Sequence, residues 1–173
     1  MGPQIARRLV LLRHAKSDWP DVPDQERPLA KRGRRDAPVA GRWLGRSGYV
    51  PDAVICSTAQ RARETWELAA GGLAEACGGA APLVRYEPRV YEATVLGLLM
   101  LVREFPADWR TALIVGHNPA MAELTVGLTA PPPEPPSAFP TAAVAVLGLA
   151  QDWASAASGE ARLLDFAVPA DMR

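Results

Sequence analysis

Short, unbroken apolar runs constrain this chain more than any other feature: Leu9-Val10-Leu11-Leu12, Ala53-Val54-Ile55-Cys56, Leu113-Ile114-Val115 and Ala142 to Leu147. Runs of this length, rich in Val, Ile and Leu and closed by turn formers, read as strands buried on both faces. With weaker partners, strand patterns fall at about residues 8–13, 53–57, 83–86, 112–116, 143–148 and 162–168. Helical spacing lies between them. Val39, Trp43 and Leu44 follow Gly33, with Pro38 placed near a first turn where its missing N–H is harmless. Ala62, Trp66, Ala69 and Leu73 repeat at three or four positions up to Gly78-Gly79, and Trp43 and Trp66 fit helical core positions. Leu96, Leu99, Met100 and Val102 mark a third helix; Met121, Leu124 and Leu128 mark a fourth. Strands alternating with helices predict an α/β fold, a three-layer α/β/α sandwich around a mainly parallel sheet. At 173 residues the expectation is one domain over 1–173, without internal repeats. The tract Ala130 to Pro136 is too rich in proline for helix or central strand and reads as a stiff surface connection.

Charge excludes some partners. Nineteen basic residues balance nineteen acidic ones, so no net field favours nucleic acid or an anionic membrane. Cys56 closes a strand pattern as a core thiol, and neither it nor Cys77 has metal-ligand or disulfide spacing. No secretory signal precedes Leu9 and no apolar run is long enough to span a bilayer, so a cytoplasmic protein is expected. No G-x-x-x-x-G-K-[ST] occurs, and two histidines without a paired cysteine or carboxylate motif make a poor zinc set. Neither cofactor nor metal is expected.

The chain has two histidines, and both follow apolar strands: Arg13-His14 after the first, Gly116-His117-Asn118 after the fourth. Ligands of α/β sheets collect just beyond the carboxyl ends of the strands, so both imidazoles belong to one site. Phosphoryl transfer needs positioned positive charge and an in-line nucleophile. Arg13 and His14 supply a cation and a nucleophile from one strand end. The stretch Ser57 to Thr65 adds Arg61 near a helix N-terminus, a natural anion site, although Arg63 stands only two positions on.

These residues resemble the histidine phosphatase superfamily, whose hallmark is an Arg-His pair at the end of the first strand. The version here, R-H-A-K-S-D-W at Arg13 to Trp19, is most similar to the SixA-like phosphohistidine phosphatase branch. Matching stretches are E-R-P-L from Glu26, K-R-G from Lys31, S-T-A-Q-R-A-R-E-T from Ser57, V-Y-E-A from Val90 and V-G-H-N-P from Val115. The resemblance implies His14 as nucleophile, passing through a covalent phosphohistidine, with Arg13, Arg61 and His117 forming the phosphate pocket. It departs from the family at Ala15, where most members have Gly, and at Pro20, where larger relatives carry a pocket Asn.

Nearby arginines are expected to depress the His14 pKa and keep it a neutral nucleophile. Glu92 is the candidate general acid, or else a helix cap. Lys16 extends the phosphate pocket or points to solvent; Arg27 and Asp18 form an ion pair or turn contacts; Lys31 to Arg35 is a solvated helix entry. The expected activity is a metal-independent phosphatase acting on phosphohistidine in proteins. The alternatives are a small-molecule phosphomonoesterase, a phosphomutase, and a non-catalytic phospho-ligand binding module. The partner is therefore a phosphorylated protein or a small phosphorylated substrate.

Overall fold

A computed structural model describes residues 4–131 and 139–173. The strands are β1 (Arg7–Arg13), β2 (Ala53–Cys56), β3 (Leu83–Tyr86), β4 (Thr111–Gly116), β5 (Val144–Leu149) and β6 (Arg162–Ala167). The helices are α1 (Lys31–Arg46), α2 (Gln60–Cys77), α3 (Val95–Arg103) and α4 (Ala120–Leu128). The six strands form one sheet in the order β3-β2-β4-β1-β5-β6. β1, β2, β3 and β4 run parallel, while β5 and β6 close one edge antiparallel. This is the α/β sandwich that the alternation of patterns predicts. The predicted tract Ala130 to Pro136 falls mostly outside the described residues.

The apolar runs are unbroken because the sheet is covered on both sides. Successive side chains of a strand point to opposite faces. Leu9 and Leu11 of β1 therefore join Ile55, Ile114, Leu98 and Met121 beneath α3 and α4. Val10 and Leu12 join Val54, Val115, Leu44 and Trp66 beneath α1 and α2. Trp66 is buried as predicted, and Trp43 is partly buried against the same cluster. Pro38 sits differently from the expectation. α1 begins at Lys31, so this proline lies well inside the helix rather than near its start. Its carbonyl backs onto Gly72, where an added Cβ would stand 2.1 Å from that oxygen. Gly41 is equally tight, with an imagined Cβ 1.8 Å from the Ala69 carbonyl. Glycines thus let α1 and α2 touch backbone to backbone. Among the described residues, no helix is long and apolar enough to cross a membrane.

Candidate active site

Three adjacent strands deliver the site. Cα partners across β1 and β4 include Arg13 with Gly116, and across β2 and β4 Cys56 with Val115. The next residues are His14, His117 and Ser57, so the register alone aligns them at the carboxyl edge. The strand order reverses here, where α/β sheets form ligand crevices. The two imidazole centroids lie 5.1 Å apart, tilted by 52°.

Each group has a fixed mount. His14 Nδ1 donates to the Ala15 carbonyl at 2.8 Å, which leaves the Nε2 lone pair available. The Ala15 N–H donates to Thr65 Oγ1 at 2.9 Å, and that hydroxyl donates to the Arg61 carbonyl at 2.6 Å. One threonine therefore ties the His14 loop to the first turn of α2. Arg13 donates from Nη1 to the Phe139 carbonyl, and Asn118 Nδ2 donates to the same oxygen, each at 2.9 Å. Gly33 lets α1 start close to the site loop: a Cβ there would stand 2.1 Å from the Lys16 carbonyl.

Arg61 is buried and Arg63 is not. Arg61 donates to the Asp24 carbonyl at 2.8 Å and to its carboxylate at 3.1 Å, while Arg63 lies over the Tyr86 ring instead. Asp24 also accepts from Arg27 at 3.1 Å and from the Tyr91 hydroxyl at 2.5 Å. The Tyr91 ring meets His117 edge-on at 5.7 Å. These donors, the Tyr91 hydroxyl above all, hold the Asp24 carboxyl at about 2, so it is ionised at neutral pH.

Both histidines are held neutral. Burial pushes His14 down to about 3, and the coulombic fields of His117, Arg61 and Arg13 push the same way. The direction matches the expectation, but desolvation leads and the arginines follow. His117 falls to about 4 for the same first cause, with Arg61 next. Its Nε2 lies 2.8 Å from Ser57 Oγ.

Among the described residues, neither Glu92 nor Lys16 makes a side-chain hydrogen bond to this group. Lys16 is exposed, and its side chain has no hydrogen bond among the described residues. Glu92 is exposed in the left-handed region, φ 56°, and its carboxylate bonds to nothing described. It caps no helix: Thr94 caps α3 by accepting from the Gly97 N–H. Arg27 meets Asp18 through the backbone carbonyl and pairs with Asp24. In the Lys31 to Arg35 entry only Gly33 is buried, as expected for a solvated turn, and Arg32 pairs with Asp36. Asp24, Thr65 and Tyr91 join the site without a sequence motif that marks them individually. Thr65 and Tyr91 lie inside stretches already singled out, and Asp24 precedes Arg27 by one turn.

Fold and site together define an α/β protein whose parallel strand ends gather two neutral imidazoles and two guanidinium groups. Residues 9–83 match the family model of the histidine phosphatase superfamily (branch 1). An uncharacterized protein of Mycobacterium tuberculosis is 40% identical over 166 residues, covering 91% of this chain and 99% of that one. A structure from Nakamurella multipartitia, assigned as a phosphohistidine phosphatase SixA, superposes with a TM-score of 0.80 at 34% identity, over 97% and 99% of the two chains. A protein histidine phosphatase SixA complexed with tungstate shares the fold at a TM-score of 0.77 and 20% identity, over 96% and 99%. The chain belongs to the histidine phosphatase superfamily and is SixA-like. Membership supports phosphatase activity.

Proposed function

We propose that this protein hydrolyses phosphohistidine in proteins through a covalent phosphohistidine at His14. The observation that carries this is the pair of neutral imidazoles 5.1 Å apart, with His14 Nδ1 committed to a carbonyl and Nε2 left as the nucleophilic atom. In the first step Nε2 attacks phosphorus and the bond from phosphorus to the leaving nitrogen breaks. The His14 ring then carries a positive charge, which the Nδ1–H bond to the Ala15 carbonyl stabilises. Arg13, Arg61 and His117 surround the transferring group with donors in a desolvated site. Water then cleaves the phosphohistidine and releases phosphate.

Leaving-group chemistry favours a phosphoramidate over an ester. An alkoxide needs a general acid within reach. Asp24, the carboxyl joined to Arg61 and Tyr91, is ionised and bound by three donors. A substrate imidazole protonated on its far nitrogen leaves as a neutral ring and needs no such acid. Glu92, exposed beside Tyr91, is the candidate acid for any ester that the protein cleaves. The free thiols Cys56 and Cys77 suit a reducing compartment such as the cytoplasm.

Hydrolysis of a phosphohistidine protein, set against p-nitrophenyl phosphate and sugar phosphates, tests this assignment. A kcat/KM at least tenfold higher for the phosphoramidate supports it. Preference for an ester, movement of label within a sugar phosphate, or binding without release points to the esterase, the mutase or the binding module.

A further inference from the structure

Three of the four buried side-chain polar atoms that lack a partner among the described residues belong to Arg13, His117 and Asn118. Native proteins rarely leave such atoms unpaired, and each one calls for a physical reason. The orphan on His117 is Nδ1, and its origin traces to Ser57. Ser57 is fully buried, so its hydroxyl proton has no bulk water to meet. Its Oγ accepts the Ala59 N–H at 3.2 Å and lies 2.8 Å from His117 Nε2; these are its hydrogen bonds among the described residues.

Two proton placements fit the shorter contact. If Nε2–H donates to the hydroxyl, the serine proton has no acceptor and the Nδ1 lone pair is unpaired as well. If the hydroxyl donates to Nε2, the serine is satisfied in both directions and one orphan remains, the proton on Nδ1. An unmade bond at a buried donor costs about 1–3 kcal/mol. The placement with one orphan therefore wins over the placement with two.

We infer that Ser57 is a positioning residue: its hydroxyl fixes His117 as the Nδ1–H tautomer and so holds one unused donor, enclosed in this structure, that meets an oxygen of the transferring phosphoryl group when the site opens to admit it. The last clause rests on the function proposed above; the tautomer does not. Both rings then share one tautomer for different reasons, His14 through the Ala15 carbonyl and His117 through Ser57. One nitrogen lone pair remains for attack, on His14, and one ring N–H remains for donation, on His117.

Because the chain has two histidines, ring nitrogen NMR reads this directly. The full-length protein, labelled with ¹⁵N-histidine, is recorded at pH 7 beside His14→Asn, which leaves a single ring to assign. The expected spectrum shows His117 protonated at Nδ1, with that proton shifting when orthovanadate is added. Ser57→Ala moves the His117 proton to Nε2 or to a mixture, and Ser57→Thr restores it. Phosphoryl transfer to His14 falls about ten- to a hundredfold in Ser57→Ala, the scale of losing one oriented supporting partner, and recovers in Ser57→Thr. A wild-type His117 protonated at Nε2 overturns the inference even if the protein is an active phosphatase, as does an unchanged tautomer in Ser57→Ala. Wild-type protein with the expected tautomer, an Nδ1 proton unmoved by orthovanadate and no hydrolysis sinks the phosphatase assignment and leaves the Ser57 role standing. Should Ser57→Ala not fold, the wild-type and Ser57→Thr spectra still decide.

Discussion

The seam between α1 and α2 and the hollow at the strand ends are built on opposite terms. In the seam, Gly41 and Gly72 bring two helix backbones together, with space for no extra methyl group. At the strand ends, polar atoms of Arg13, His117 and Asn118 have no partner among the described residues, and Asp24 gathers three donors on one carboxylate. Close packing without loose polar groups stabilises a fold; unpaired polar atoms destabilise it and persist where something else is to be bound. Stability and chemistry are therefore carried by separate regions. Backbone strain follows the same division, because the two non-glycine residues with positive φ among the described residues, Glu92 and Ala142, lie next to Tyr91 and against the His14 loop. Ala142 donates its N–H to the carbonyls of Arg13 and His14.

Substitutions that strike one region and spare the other break this comparison most sharply. His14→Ala is expected to lower turnover by about 10⁴-fold or more, the scale seen when a nucleophile is removed, while the urea midpoint hardly moves. Gly41→Ala should do the reverse. Its methyl meets the Ala69 backbone, which calls for about 3 kcal/mol of destabilisation and a Tm lower by about 6–12 °C, with turnover per folded molecule unchanged. Arg61→Ala comes next, at about 10²–10³-fold in kcat, read in steady-state kinetics. Asp24→Ala frees Arg61 from its mount, and about a tenfold loss in kcat/KM is expected.

Much of this division was legible in the chain. Three of the four apolar runs become the parallel strands β1, β2 and β4 and the fourth becomes the antiparallel β5, and His14 and His117 follow two of them because the strand register aligns what comes next. Spacing from Ser57, as the family resemblance implies, favours Arg61 over Arg63 although both lie in the first turn of α2; burial and the bond to Asp24 distinguish the two in the structure. Asp24, Thr65 and Tyr91 were invisible as site residues for a physical reason. Their roles are contacts between segments far apart in sequence, with Asp24 and Tyr91 separated by 67 positions and Ala15 and Thr65 by 50. In V-Y-E-A the pattern points to Glu92, while the contact with His117 comes from its neighbour Tyr91. Pro38 misled about where α1 begins, because a tertiary contact with Gly72 accepts a proline deep inside the helix.

Acid sharpens the comparison with a smaller effect. His14 drops from 6.5 to about 3 on folding, so below pH 6.5 the unfolded chain takes up a proton that the folded chain refuses. The stability linked to this ring is whole above pH 6.5 and is lost between about 6.5 and 3, at about 1.4 kcal/mol per pH unit. His117 falls to about 4 as well, so urea unfolding at pH 7, 5 and 4 should show about twice that slope, and His14→Asn should roughly halve it. The smallest change is expected for Trp19→Ala. This exposed ring stacks on the Arg27 guanidinium, and its loss should shift stability by under about 0.5 kcal/mol in the same assay.

Rapid quenching with ³²P-labelled phosphoramidate tests the central claim most directly. The account predicts one acid-labile, base-stable label per chain, located on the peptide that contains His14 and absent from a folded His14→Ala protein. Phosphate release with no label at His14, or a label on any other residue, would contradict it.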